Sequence, residues 1–257
     1  MLTYRIDEDG KIIEHPLIAS LYFDIKYGPL QNKLIYEYGG KTLSAYRYGV
    51  KEYSLENNKR ILIDLFTIFA ELVHKDNMHN DIKCANTVYS IEEPSLVVKT
   101  KLIDFGSSRS ISQMETGKDS FVLRTNMNSP EAILNYLHLN KWPGFEVSFT
   151  KNFKRWYYYP FISILYYLYT GNEYSTGDKS YMHQLYGSTS SSKQKYKFNC
   201  LEHLKNNENI KQDLAKHIHI KDSALLTKLN NIIDMMCVLN PDERASEEAV
   251  LGALNKL

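Results

Sequence analysis

Cysteine is scarce in this chain, and charges of the two signs are nearly balanced. The three cysteines among the 257 residues, Cys84, Cys200 and Cys237, lack the spacing of metal ligands. So few scattered thiols favour a reducing compartment, and we expect a cytoplasmic protein. A formal net charge of +1 gives no electrostatic reason to expect nucleic acid or an anionic membrane as a partner.

Long hydrophobic runs are also lacking. No N-terminal signal peptide is visible, and the densest apolar run, Trp156 to Thr170, is too short to span a bilayer comfortably. This run contains Pro160 and ends at Gly171, which favours a buried helix that stops at the glycine. With 43% hydrophobic residues, the chain can form one sizeable core. These features predict one soluble globular domain with a buried central helix.

Two short segments place polar side chains in an informative order. Residues 79–86 read HNDIKCAN, and residues 104–106 read DFG. The first matches the catalytic-loop pattern H-R-D-x-x-x-x-N except that Asn80 replaces arginine, and the second matches the metal-binding D-F-G. Residues 129–131, with the sequence SPE, follow where an A-P-E element would end the activation segment. On these three ordered elements, the chain resembles the large lobe of a eukaryotic-type protein kinase.

The resemblance implies a role for each polar residue of these segments. Asp81 would accept the proton of the substrate hydroxyl, and Lys83 would offset charge on the transferred phosphoryl group. Asn86 and Asp104 would hold Mg²⁺ against the phosphates of ATP, so ATP and Mg²⁺ are the expected cofactors. The lysine at position 83 resembles the serine/threonine class, whose members usually carry lysine at this place in the loop. The expected reaction is therefore phosphoryl transfer from ATP to protein serine or threonine.

The kinase pattern is incomplete upstream of these segments. Glu37 and Tyr38 match the hydrophobic-Glu-Tyr-x-Gly pattern of a hinge and would contact the nucleotide, but roughly 36 residues precede Glu37. A complete small lobe consists of five strands and a helix, which together need about 60 residues or more. Gly10 and Gly28 are the only glycines in that stretch, so the Gly-rich loop is missing, as are the small-lobe lysine and its glutamate partner.

The expected fold class is α+β, with a protein-kinase-like arrangement of two parts. Residues 1–42 would form a shortened β small lobe and the hinge, and residues 43–257 would form a mainly helical large lobe. From Ile61 to Val73, apolar residues recur at the intervals that place them on one helical face. The stretch from Ala224 to Leu239 predicts another amphipathic helix.

Strands are predicted near the N-terminus. Residues 3–6 and 11–14 flank a turn-rich break and predict a hairpin, and residues 17–23 and 33–38 predict two further strands. So small a sheet would leave an unpaired edge and an uncovered apolar face. We therefore expect a protein partner, besides any protein substrate, to dock on the shortened small lobe.

Two positions depart from the kinase pattern, and a third agrees with it. Asn80 replaces the arginine that reads a phosphate on the activation loop, so activation by that switch is not expected. Tyr157 stands where an aspartate of a D-x-W pattern would brace the catalytic loop. Arg244 lies in a segment similar to the D-P-x-x-R near kinase C-termini, and it would form a buried ion pair with Glu131.

Two functions of different classes remain open. The first is a serine/threonine kinase whose activity is weak or absent in isolation and is completed by a partner. The second is a pseudokinase, a scaffold or interaction subunit that keeps the large lobe as a docking body. Loss of one preorganised electrostatic donor typically lowers turnover by about 10²–10³, so the missing small-lobe elements matter. Small-molecule kinases of the choline or aminoglycoside type also use an H-N-D-like loop, but residues 129–131 and Arg244 speak against that class.

Overall fold

A computed structural model describes most of the predicted large lobe and short pieces of the N-terminal region. The described residues are 5–6, 12–13, 21–25, 33–36, 39–46, 49–50, 53–92, 97–115, 129, 132, 153–174, 207–218, 222–238 and 240–257. Their strands are β1 (Arg5–Ile6), β2 (Ile12–Ile13), β3 (Leu21–Ile25), β4 (Lys33–Tyr36), β5 (Lys41–Thr42), β6 (Asn77–Met78), β7 (Thr87–Glu92), β8 (Val97–Leu102) and β9 (Arg109–Ser110). Their α-helices are α1 (Leu55–His74), α2 (Ile111–Glu115), α3 (Tyr158–Thr170), α4 (Asn207–His217), α5 (Ser223–Met236) and α6 (Glu247–Leu254). This mixture of helices and small antiparallel sheets confirms the α+β class.

The N-terminal strands pair as two separate antiparallel ladders. β1 pairs with β2, which confirms the predicted hairpin. β3 pairs with β4, but β3 covers residues 21–25 rather than the predicted 17–23, and residues 17–20 lie outside the described part of the chain. Two-stranded sheets are marginally stable in water, because they bury little apolar surface.

A three-stranded antiparallel sheet, in the order β5-β7-β8, positions the polar motifs. Its register places Thr87 opposite Leu102. The residue before β7 is Asn86, and the residues after β8 are Ile103 and Asp104, so this register brings the ends of the two predicted motifs together. The ladder continues one step further, because the Ile103 N–H donates to the Asn86 backbone oxygen at 2.9 Å.

Helix α1 supports both the sheet and the loop that follows it. Ser54 caps its N-terminus by accepting a hydrogen bond from the Asn57 N–H at 3.0 Å. The predicted apolar stripe is buried, which confirms the helical assignment of residues 61–73; its buried members are Ile61, Leu62, Leu65, Phe66, Ile68, Phe69 and Leu72. The helix packs on β8 and then leads into β6 and residues 79–86.

Helix α3 is the buried central helix that the apolar run predicted. All of its side chains except Ser163 are buried. Pro160 is the third helical residue, where its missing N–H has no intrahelical acceptor to lose. Gly171 ends the helix in the left-handed conformation, with φ of 72°. The helix begins at Tyr158 rather than Trp156, because residues 154–157 form turns.

Aromatic packing joins α1 to α3. The Phe66 ring lies 5.4–5.7 Å from the rings of Tyr157, Tyr158 and Phe161, at tilted or edge-on angles. Such arrangements stabilise a core beyond the burial of area alone. Among the described residues, no helix has both the length and the apolar character that crossing a bilayer requires.

Arg244 is buried and ties the C-terminal helices to the segment before α3. Its Nε donates to the Val238 backbone oxygen at 3.0 Å, and its Nη1 donates to the Arg155 backbone oxygen at 2.8 Å. The guanidinium carbon lies 5.1 Å from the centroid of the Tyr159 ring. Glu131 lies outside the described residues, so the predicted ion pair stays a prediction.

Replacing Arg244 by methionine keeps most of the side-chain volume but removes the charge and the donors. We expect Arg244→Met to lower the free energy of unfolding by at least about 2 kcal/mol, because two backbone oxygens lose a charged donor. Chemical denaturation measures this. The matched control is Lys228→Met, which removes an exposed cation from α5 and should change stability by less than about 0.5 kcal/mol. Equal effects of the two substitutions would contradict the structural role of Arg244.

Gly40 is the last residue of the predicted hinge and admits no side chain. Its φ is +104°, and a Cβ there would stand 1.9 Å from the backbone oxygen of Tyr89 on β7. We expect Gly40→Ala to lower the free energy of unfolding by about 2 kcal/mol or more, because both the backbone strain and the clash must be relieved. Gly252→Ala is the control, since Gly252 lies within α6 with open space around it. That change should instead stabilise the chain by about 0.5–1 kcal/mol. Denaturation curves of the two variants should move in opposite directions.

Candidate active site

The predicted site residues lie on two neighbouring segments of the chain. The first arm is residues 76–86, from the end of α1 to the 3₁₀ turn Cys84–Asn86. The second arm is residues 103–112, from the end of β8 into α2. The β7–β8 hairpin joins the arms at one end. The short antiparallel ladder of β6 and β9, which pairs Asn77 with Ser110 and Met78 with Arg109, joins them at the other.

Three of the predicted catalytic residues form one hydrogen-bonded cluster on the first arm. The Asp81 Oδ2 atom accepts from Lys83 Nζ at 2.8 Å and from Asn86 Nδ2 at 2.9 Å. Asn86 Nδ2 also donates to the backbone oxygen of Asp81 at 2.8 Å. Asp81 is 3% exposed, whereas the Lys83 side chain is 42% exposed. The cluster thus holds a buried carboxylate beside a cation that still reaches solvent.

The other carboxylate oxygen of Asp81, Oδ1, takes no part in these hydrogen bonds. Oδ1 is buried, and it has no hydrogen-bond partner among the described residues. A buried acceptor without a donor costs about 1–3 kcal/mol, so a hydroxyl group placed against it would relieve that cost. Oδ1 is shielded from solvent, so the atoms that bury it must move before a hydroxyl group can reach it.

Asn86 and Asp104 offer the two oxygen ligands that the resemblance assigned to Mg²⁺. The Asn86 amide nitrogen donates to two oxygens of Asp81, so the side-chain oxygen of Asn86 is the atom left for a cation. Asp104 is exposed, and its Oδ1 accepts a long 3.4 Å hydrogen bond from the Gly106 N–H. In the described part of the chain, no three His, Cys, Asp or Glu side chains converge on one point. Mg²⁺ commonly takes only one or two carboxylates and completes its shell with phosphates and water, so the residues present fit it.

His79 links the two arms as a neutral imidazole. Its Nε2 lies 2.8 Å from the Ile103 backbone oxygen, and its Nδ1 lies 3.3 Å from the Asp81 backbone nitrogen. A carbonyl oxygen only accepts and an N–H only donates, so Nε2 carries the proton and Nδ1 accepts. Burial lowers the pKa of His79, which agrees with the neutral form. The ring also packs edge-on against Phe105, 4.8 Å between centroids.

Backbone conformation sets the arms apart from the rest of the described chain. Asp76, Asn80 and Asp104 are the non-glycine residues with positive φ in the described ranges, at 58°, 60° and 63°. Aspartate and asparagine tolerate the left-handed region better than most residues. All three belong to the two arms, and such uncommon conformations cluster at functional sites.

Several sequence-based expectations about residues around the site meet different outcomes. Glu37 and Tyr38 lie outside the described residues, so their nucleotide contact stays a prediction. Asn80 is buried, and its Nδ2 has no acceptor among the described residues. Tyr157 donates to Glu247 Oε1 of α6 at 2.8 Å. Cys84 is a buried small residue of the loop, and burial raises the pKa of its thiol well above the usual value.

Sequence reasoning gave no role to several residues that shape the site. His79 belonged to the recognised motif, but the pattern did not show that Nε2 bonds to Ile103 on the second arm while Nδ1 accepts from Asp81 on the first. Val88 carried no signal in the sequence: a Cβ on Gly39 would stand 2.6 Å from Val88 Cγ2, so the end of the predicted hinge passes directly over β7. Asp76 carried no signal at all, since an isolated aspartate after a helix is ordinary.

Comparison with known proteins adds no family assignment, because neither a protein-family model nor a curated protein matches the chain.

The neutral state of His79 makes the stability of the protein depend on pH. The folded-state pKa is depressed, so below about pH 6.5 the unfolded chain binds a proton that the folded chain does not. The free energy of unfolding should therefore fall as pH drops below 6.5, by up to about 1.4 kcal/mol per pH unit from this group. Urea titrations between pH 7.5 and 5 measure the slope.

His79→Gln should be less stable than the parent at pH 7.5 but should lack this part of the acid dependence. His74→Gln is the control, because the His74 side chain is 70% exposed and lies outside the arms. It should keep the part of the slope that His79 contributes. An unchanged slope in His79→Gln would show that His79 does not bridge the arms as a neutral ring.

Proposed function

We propose that the chain is a protein-kinase-like domain that transfers a phosphoryl group from ATP to protein serine or threonine, with activity that is weak or absent in isolation. The observation that carries the proposal is the Asp81 cluster, a buried carboxylate bonded to Lys83 and Asn86. The second arm, which pairs with the first, carries the exposed Asp104. The kinase-like order of these residues in the sequence and their arrangement in the fold point to the same chemistry. Such an arrangement suits chemistry that depends on positioning and charge rather than on a covalent intermediate.

Each residue has a role that its surroundings support. Asp81 Oδ1 is the free acceptor that would take the proton of the attacking hydroxyl, while Oδ2 stays bonded to Lys83 and Asn86. Lys83 carries the positive charge that would offset negative charge on the transferred group. Asn86 and Asp104 would hold Mg²⁺, which would neutralise the phosphates of bound ATP. Glu37 and Tyr38 would contact the nucleotide if residues 36–40 form the hinge.

Two observations support low activity in isolation. Asp81 Oδ1 is shielded from solvent, so a substrate hydroxyl reaches it only after a rearrangement. The described backbone of residues 5–36 forms two-stranded ladders rather than one larger sheet, which is a weak roof for a nucleotide. A protein partner that docks on residues 1–42 and completes this region would make activity conditional on assembly.

The same observations favour the second candidate, a pseudokinase that serves as a scaffold or interaction subunit. In that case the Asp81 cluster would be retained as a buried polar network that stabilises the loop. The two candidates differ in one measurable property, the transfer of phosphate to a protein.

Nucleotide and metal binding is tested by thermal unfolding with Mg²⁺ and ATP at millimolar concentration. At 100 times the dissociation constant, a ligand adds about 2.7 kcal/mol of stability, which raises Tm by roughly 5–10 °C in a domain of this size. Asp104→Asn should abolish this rise in Tm, because asparagine lacks the charge that would hold Mg²⁺. Asparagine tolerates the positive φ at position 104, so the fold should be preserved. The control is Asp234→Asn on α5, outside the arms, which should show the same rise in Tm as the parent.

Transfer is tested with γ-labelled ATP and dephosphorylated casein as a generic protein acceptor. Labelling that Asp81→Asn abolishes would support the kinase. A ligand-induced rise in Tm without labelling would favour the pseudokinase. No rise and no labelling would refute the ATP-dependent proposal.

A further inference from the structure

The Asp76 carboxylate holds the far end of the second arm. Its Oδ2 accepts from Ser110 Oγ at 2.6 Å and from Ser112 Oγ at 2.8 Å, and its Oδ1 accepts from the Ser112 N–H at 2.8 Å. The backbone oxygen of Asp76 accepts a fourth bond from the Ile111 N–H at 3.1 Å. We call these four bonds the Asp76 clamp.

The clamp is the main connection between the arms at this end. The neighbouring ladder of β6 and β9 is only two residue pairs long, and such short pairings are weak in water. Three of the four clamp bonds end on a carboxylate, and hydrogen bonds to a charged acceptor are stronger than neutral ones. The bonds from Ser110 and Ser112 hold the pKa of Asp76 below its usual range, so the carboxylate is charged at neutral pH.

Position 76 is a place where the backbone itself favours glycine. Asp76 follows the C-cap of α1 with φ of 58°, and its N–H donates to the Val73 backbone oxygen at 3.0 Å. This is the left-handed position after a helix that glycine most often occupies. An aspartate there accepts a less favourable backbone conformation, and the four-bond clamp to the second arm offsets it.

The clamp is connected to the site through a short stretch of each arm. Asp76 lies five residues before Asp81 on the first arm, and Ser112 lies eight residues after Asp104 on the second. Between these ends, the arms are joined by the β6–β9 ladder and by His79, which contacts Ile103 and Phe105 on either side of Asp104. A shift of the second arm at Ser112 therefore moves Asp104 relative to Asp81 unless the His79 contacts alone resist it.

We propose that Asp76 is a positioning residue that sets the second arm, and with it Asp104, in register with Asp81. Its effect on turnover rests on the proposed function, because that register matters to catalysis only if both carboxylates act on one phosphoryl group. Its effect on the arms does not depend on any ligand. Asp76 would act through its bonds to Ser110 and Ser112 rather than by contact with the reacting groups.

The test compares Asp76→Gly with Asp222→Gly in the full chain. Asp76→Gly removes the carboxylate but suits the left-handed backbone, so the end of α1 should be preserved. Asp222 is also an exposed aspartate whose Oδ1 accepts two backbone N–H bonds, from Ala224 and Leu225 at the start of α5. Its removal costs a similar set of bonds without touching the arms. Asp76→Asn keeps one side-chain acceptor oxygen and should partly restore the clamp.

The first readout is the solvent exchange of the His79 Nε2 proton, followed by NMR without nucleotide. We expect Asp76→Gly to speed this exchange about tenfold or more, because the arms open more often. Asp222→Gly should leave the rate unchanged, and Asp76→Asn should fall between. A rate in Asp76→Gly equal to that of the parent would overturn the inference. If Asp76→Gly does not fold, Ser112→Ala removes the clamp bond from Ser112 Oγ to Asp76 Oδ2 and the contact of Ser112 Oγ with Ser110 Oγ. It should speed the exchange by less than Asp76→Gly would, and a rate equal to that of the parent would again overturn the inference.

The second readout is phosphoryl transfer. We expect Asp76→Gly to lower kcat by about 10–100-fold at an unchanged KM for the protein acceptor, since small misplacements of reacting groups have effects of that size. Asp76→Asn should recover part of kcat, and Asp222→Gly should match the parent. An active parent whose kcat is insensitive to Asp76→Gly would refute the positioning role. An inactive parent would favour the pseudokinase candidate, and the exchange rate of His79 would then decide the inference by itself.

Discussion

The register of the β7–β8 hairpin is the constraint on which the candidate site depends. With Thr87 opposite Leu102, the chain enters β7 from Asn86 and leaves β8 toward Asp104, so these two residues must lie at the same end of the sheet. A slip of one residue would turn every side chain of one strand to the other face, burying Lys99 and Lys101 and exposing Val98 and Leu102. Burial of the apolar face against α1 therefore holds the register, and the register holds the site.

Stability and function are divided between different parts of the described structure. The aromatic core around Phe66, Tyr157 and Phe161 is apolar and closely packed, and it is the source of much of the free energy of folding. The arms have the opposite character. They hold residues with positive φ, a buried acceptor on Asp81 and a buried donor on Asn80 that lack partners in the described chain. The positive-φ non-glycine residues of the described chain all lie in the arms, and such uncommon backbone conformations cluster at functional sites.

The neutral state of His79 shows how burial and geometry act together. A charged imidazole could not accept from the Asp81 N–H, and a different tautomer could not donate to Ile103. Burial disfavours the charge, and the two fixed partners select the tautomer. The ring thus transmits the position of one arm to the other without any ionic interaction. Such a link is insensitive to ionic strength, in contrast to the exposed pair of Lys99 and Glu92 at the tip of the β7–β8 hairpin.

The sequence alone determined the elements whose signals are local. The apolar stripe predicted α1, the apolar run ending at Gly171 predicted α3, and the spacing within residues 79–86 placed Asp81, Lys83 and Asn86 within one tight loop. The division at residue 42, the hinge at Glu37 and Tyr38, and the ion pair of Glu131 with Arg244 involve residues outside the described part and stay predictions.

Tertiary structure decided what depends on contacts between residues far apart in the chain. The Tyr157 hydroxyl donates to Glu247, His79 bonds to Ile103, and Asp76 bonds to Ser112, and the partners differ in residue number by 90, 24 and 36. Periodicity and motif spacing report only on neighbours within a few turns of helix or strand. Long-range partners are chosen by how the helices and the sheet pack, so the roles of Asp76 and His79 became visible only in the folded chain.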